Sequence, residues 1–183
     1  MKRLIFFIII LLPYLSSVSH AQISSSREIL PSGEILLTQE LIVNAPIDQV
    51  WDAFTTEEDW KKWVTPEVAI DLKINGSIRS HYTAGAQLGD SGTIELKILF
   101  YIPYQQLVMQ AKLGDAFPED LRSDAPNLFS QYWFEALGKD ETKISLTGIY
   151  PNKEEWNQLL AFFERGNAAT LEKLQHFLSP NEE

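Results

Sequence analysis

The 183-residue chain contains no cysteine. That excludes disulfides, thiolate metal sites and a lipoprotein signal. Histidine is scarce as well. Beyond His20 there are only His81 and His176, and two isolated histidines without paired carboxylates do not make a metal site. Positive charge is in deficit, with 15 Lys and Arg against 25 Asp and Glu and a net charge of −10. Nucleic acid and anionic membrane surfaces both require a basic face, so neither is an expected partner. Long apolar runs are missing too. The most extended, Leu4 to Leu12, falls short of the roughly 20 residues that span a bilayer comfortably. No tandem repeat or low-complexity linker divides the chain.

That apolar run has another use. Lys2 and Arg3 precede it, and Pro13, a Ser-rich stretch and Ser19-His20-Ala21 follow it. A basic segment, an apolar segment and a small-x-small site make residues 1–21 a secretory signal peptide. The expected location is therefore exported, periplasmic or extracellular, with no stable membrane insertion after cleavage. Removing Lys2 and Arg3 takes the net charge from −10 to −12. Residues 22–33, with Ser24-Ser25-Ser26, are expected to form a flexible lead-in. The rest suits one domain with one core.

Ile35 to Val43 is an extended apolar segment that stops at Asn44. Pro46 then suits a helix start, and Ile47, Val50, Trp51 and Phe54 recur at helical spacing. Thr56 caps a second short helix with Glu57, Glu58 and Asp59 in its first turn and Trp60 and Trp63 on one face. Trp51 is expected between the first helix and a sheet, and Trp63 should contribute less to stability if it lies at the rim. This order of strand, Ala-Pro-x-x-x-Val-Trp helix and Trp-x-x-Trp helix resembles the start of the START-like (SRPBCC) superfamily. Within it, the chain looks most like the branch named for the C-terminal domain of the activator of Hsp90 ATPase.

Alternation continues the pattern. Val68, Ile70 and Leu72 suggest a second strand, Asn75-Gly76 a two-residue hairpin turn, and Ile78, Ser80 and Tyr82 the return. Ile94, Leu96 and Ile98 alternate with Thr93, Glu95 and Lys97. Leu107 to Leu113, Phe129 to Leu137 and Thr142 to Ile149 complete about seven strands, uncertain by one. A final helix from Pro151-Asn-Lys-Glu-Glu to about Leu178 carries Trp156, Leu159, Leu160, Phe163, Thr170, Leu174 and Phe177 as a stripe. The expected fold class is α+β, a helix-grip domain over 34–179 in which a curved, mostly antiparallel sheet wraps a long C-terminal helix. Residues 180–183 form a tail. The acidic connection 114–127 reads either as a lid or as a solvated loop.

The resemblance implies a cavity between the sheet and the last helix. Its expected walls are Tyr82, Leu96 and Phe134 on the sheet and Phe163, Asn167 and Thr170 on the helix. Asn167 and Thr170 are polar residues on or beside an apolar stripe, which a solid core tolerates only with hydrogen bonds. The alternative is a local bond back to the helix carbonyls.

The expected function is binding of a small hydrophobic or amphipathic molecule by a monomer or weak dimer. It uses no cofactor, no metal and no catalytic residue. A second reading is a cyclase- or aromatase-like enzyme, for which the acid–base candidates are Arg79, His81, Tyr82, Tyr132 and Glu135. A third is a co-chaperone-like interaction module, from which export would separate any cytosolic Hsp90. Gly89-Asp-Ser-Gly92 copies the surroundings of a serine-protease nucleophile, but the chain is too short for such an enzyme, and the motif reads as a hairpin turn. Asn75-Gly-Ser77 is formally a glycosylation acceptor and reads as a hairpin tip.

Overall fold

The computed structural model describes residues 22–114, 118–124 and 128–179. The expected signal peptide, 1–21, and tail, 180–183, lie outside them. Eight antiparallel strands form one sheet in the order β1-β2-β8-β7-β6-β5-β4-β3. They are β1 (Ser24–Ile29), β2 (Ile35–Val43), β3 (Glu67–Ile70), β4 (Ser77–His81), β5 (Ile94–Ile102), β6 (Gln106–Lys112), β7 (Phe129–Ala136) and β8 (Thr142–Tyr150). The helices are α1 (Ile47–Thr55), α2 (Glu57–Trp63), α3 (Glu119–Asp124) and α4 (Glu154–Leu178). The α+β class, the curved antiparallel sheet and the long last helix are as the sequence predicts, with eight strands against about seven.

The additional strand comes from the segment expected to be a flexible lead-in. Ser24–Ile29 pairs along β2 from Ser24↔Glu40 to Ile29↔Ile35. Alternation gives no sign of it, because all six residues are exposed. Backbone pairing with β2 holds it, helped by Ser25 and Arg27, which both donate to the Glu164 carboxylate on α4.

The turn between β3 and β4 also differs from the two-residue hairpin. β3 ends at Ile70, Leu72 lies outside it, and Asp71 N–H bonds Ser77 O at 2.9 Å. Asn75 takes a left-handed φ of 64°, and a Cβ at Gly76 would lie 2.0 Å from the Asp71 carbonyl oxygen. The turn is fastened sideways to β5, with Asn75 N–H donating to Ile98 O and Ile98 N–H to Gly76 O, both at 2.9 Å.

Helix α1 follows Pro46, and Thr56 caps α2 by accepting from Asp59 N–H at 3.3 Å. Val50, Trp51, Ala53 and Phe54 of α1 are buried with Trp60 and Trp63 of α2, Phe134, Ile144, Leu171 and Leu174 in the larger core cluster. A second cluster joins Leu37, Leu128 and Tyr150 to Trp156 and Leu160 near the start of α4. Trp63 is as buried as Trp51 and its indole N–H donates to Ala53 O at 2.9 Å, so it does not sit at the rim.

Candidate functional site

Alternation sorts the seven strands β2 to β8 into two chemically different faces. The side facing α4 carries Leu37, Gln39 and Leu41 on β2, and Ile144, Leu146 and Tyr150 on β8. Across the register it continues through Tyr132, Phe134, Leu107, Met109, Leu96 and Ile78. Glu40, Lys143, Glu135, Lys112, Lys97, Glu95, Arg79 and Glu67 alternate onto the other side. The concave face of these strands therefore bears no charged side chain.

The helix covers this face unevenly. α4 packs most closely on β2, α1 and α2. Under it the inward residues of β2 and β8 are buried. Farther across, Leu96, Ala111, Ser130 and Tyr132 stay partly exposed although they point inward, and Ile94 is 37% exposed. A trough is left between α4 and the inner face of β4 to β7.

Three tyrosines gather along it. Tyr150 lies flat over Gly148, where a Cβ would meet its ring at 2.7 Å. Its ring stacks on Phe163 at 5.8 Å. Burial raises its hydroxyl above the ordinary tyrosine range, and the neighbouring Asn167 side chain partly offsets that. Tyr132 packs against Phe54, with centroids 4.7 Å apart. Burial likewise pushes its hydroxyl well up, and Tyr150 and Tyr82 add to the shift. No hydrogen bond to Tyr132 is present among the described residues, so a protonated phenol faces the trough with its donor unused. Beneath α4, fully buried Gln39 donates to Glu164 O at 3.0 Å, while its own carbonyl oxygen has no partner among the described residues.

The predicted wall residues fare differently. Leu96 and Phe134 share the concave face, Phe134 fully buried edge-on to Trp51 at 5.7 Å. Tyr82 continues the inward register one residue past β4 and is 59% exposed, at the mouth rather than inside. Phe163 and Asn167 meet Tyr150 from α4. Thr170 donates to the Gly166 carbonyl at 2.8 Å, the local bond that was its alternative reading.

Gln39 and Tyr150 are additions. The signal that could have found them is alternation along Ile35–Val43 and Thr142–Tyr150, but nothing in the sequence showed that a glycine two residues earlier would let the Tyr150 ring lie down.

Of the acid–base candidates, Arg79, His81 and Glu135 face away from the trough. His81 fastens a loop, accepting Thr83 N–H at 2.9 Å and contacting Ser91 O at 3.2 Å. Among the described residues, no group of three His, Asp or Glu could hold a metal. No described helix is long and apolar enough to cross a membrane.

The acidic connection holds the short helix α3. Asp124 accepts from Lys153 Nζ and from the Trp156 indole N–H, each at 2.9 Å, which ties α3 to the start of α4. Two grooves open elsewhere, and neither is lined by a predicted wall residue. One of about 600 Å³ lies by the β1–β2 turn and Lys153, and one of about 550 Å³ lies between the ends of α2 and α4.

The model of the family described as activator of Hsp90 ATPase homolog 1-like protein matches residues 44–179. The chain belongs to this family. No curated protein matches the chain. Among solved structures, CalU16 from Micromonospora echinospora is similar, with a TM-score of 0.61 at 21% identity, covering 87% of each chain. The Aha1 dimer from Colwellia psychrerythraea has a TM-score of 0.61 at 18% identity, over 81% of this chain and 98% of that one. Protein Ms6760 from Mycobacterium smegmatis has a TM-score of 0.65 at 16% identity, over 88% and 100%. At such identities the likeness is one of fold, shared over most of the chain.

Proposed function

We propose that this member of the activator of Hsp90 ATPase homolog 1-like family is an exported, non-catalytic binding protein. It holds a small apolar or amphipathic molecule in the trough between α4 and strands β4 to β7. The observation that carries the reading is the partial exposure of inward-facing Leu96, Ala111, Ser130 and Tyr132 beside a fully packed core. Apolar surface left open inside a domain, edged by a few polar groups, is the usual form of a small-molecule site. The outward placement of Arg79, His81 and Glu135 weighs against acid–base chemistry, which needs such groups within reach of the reacting atoms.

Native mass spectrometry of protein recovered from its own compartment tests the reading. A bound non-protein mass, displaced by an added fluorescent apolar probe, is expected. Ligand-free protein that also takes up no probe would refute it.

A further inference from the structure

The inner surface of this sheet is unusual in what it leaves out. Across seven strands, and on the α4 residues that face them, the polar groups are phenols, hydroxyls and amides. The nearest ion pair on α4, between Glu164 and Arg27, belongs to β1, on the far side of the helix from the trough. A carboxylate or ammonium entering such a space loses its hydration and finds no counter-charge on these walls, a cost that selects strongly against ions.

The polar groups that are present are mostly occupied. Thr170 donates to its own helix, Thr142 to Ala45 O and Gln39 to Glu164 O, and Asn167 lies beside Tyr150. The Gln39 carbonyl oxygen, buried under α4, and the Tyr132 hydroxyl are exceptions, and of these two Tyr132 is the donor. The hydroxyl lies on the partly exposed Tyr132 beside Phe54 and Phe134 and has no hydrogen-bond partner among the described residues. An O–H without a protein acceptor is open to one that a ligand supplies.

We infer that the trough selects uncharged, largely aromatic or alicyclic molecules bearing a carbonyl or ether oxygen, and that Tyr132 is the specificity-determining residue that donates to that oxygen. The inference rests on the binding role proposed above and names the chemistry of its ligand. The flanking rings of Phe54, Phe134 and Tyr150 favour a flat body, and the neighbouring small side chains of Ala111 and Ser130 leave room for one.

Three compounds with the same ring system separate the contributions: 2-acetylnaphthalene, 2-ethylnaphthalene and 2-naphthoate, each titrated by calorimetry into the folded protein at pH 7. The ketone is expected to bind about tenfold more tightly than the hydrocarbon, the value of one net hydrogen bond. The carboxylate is expected to bind at least about a hundredfold more weakly than the ketone. In Tyr132→Phe, which keeps the ring and its packing, the ketone should fall to the level of the hydrocarbon while hydrocarbon binding stays unchanged.

Naphthoate bound as tightly as the ketone would overturn the selectivity for neutral molecules and leave the binding role standing. A ketone preference that survives Tyr132→Phe would overturn the assignment of Tyr132. Failure of all three compounds to bind would overturn the inference together with the binding role.

Discussion

Asn167 and Tyr150 lie side by side across the gap between α4 and β8, and that changes what a substitution there should do. From sequence, Asn167→Leu could have filled empty space harmlessly. With its amide beside a buried hydroxyl, the same change is expected to destabilise the protein by about 1 to 2 kcal/mol. Tyr150→Phe should cost about as much, and the double variant less than the two together. Chemical denaturation of all three decides it. Strict additivity would show that the two side chains do not interact.

The tryptophans give a second residue-level comparison. Trp51→Ala and Trp63→Ala should each cost about 3 to 5 kcal/mol, since both are buried to the same degree. A clearly smaller loss for Trp63 would put it at the rim after all. The helical spacing of these residues was legible, but their depth was not, because depth depends on the Ala53 carbonyl that receives the Trp63 indole.

Tyr132 adds a pH dependence. Its hydroxyl is held neutral by burial, above the ordinary tyrosine value of 10.0. Once pH passes about 10, the unfolded chain sheds this proton while the folded chain keeps it, so stability must fall as pH rises. Below that pH the contribution is complete. Denaturation midpoints measured from pH 8 to 11 should decline beyond about pH 10, and Tyr132→Phe should flatten the decline.

At the scale of elements, the informative one is α3. A run of acidic residues suggested either a lid or a solvated loop, and the described part is neither free nor shapeless. Asp124 clips it to Lys153 and Trp156, and these two partners hold its carboxyl below the ordinary aspartate range. For a lowered carboxyl the stabilisation is complete above the unfolded value and is lost as pH falls through the folded one. The clip should therefore open only in acid. Asp124→Asn keeps an acceptor for the indole but drops the charge that Lys153 seeks. Amides 119–124 should exchange faster in that variant while those of β2 and β8 stay protected. Uniform exchange across the protein would mean that α3 adds nothing of its own.

The elements that sequence showed well were those with one wet and one dry side: β2, α1, α2, β8 and α4. It missed β1 because that strand buries nothing and is held by backbone bonds to β2. It misjudged the β3–β4 turn because the turn's bonds run to Ile98, more than 20 residues away in the chain.

At the scale of the whole molecule, β1 matters for its position. The expected cleavage after Ala21 leaves β1 intact, beginning at Ser24. N-terminal sequencing of exported protein should start at Gln22 or within a residue or two of it, and full-length protein retained in the cytosol would contradict export. Deleting residues 22–29 should expose the long edge of β2, an invitation to intermolecular pairing. Light scattering should then report dimers or larger species, whereas a monodisperse monomer of unchanged Tm would show that β1 guards nothing. The global architecture was legible because alternation and helical stripes occur in an order that suits one fold. The trough was legible only as an implication of resemblance. Its dimensions depend on α4 lying toward β2, a packing outcome that no local pattern records.

The sideways fastening of the β3–β4 turn bears on how the molecule responds to force. β3 is a short outer strand and would ordinarily peel away one rung at a time when pulled. With Asn75 and Gly76 bonded to both sides of Ile98, tension on β3 runs through the turn into the middle of β5. The three strands then share the load and give way as a block, at higher force and with a larger single extension than a free hairpin. An optical trap pulling from residue 67 should record one rip spanning β3 to β5 in place of a gradual unzipping.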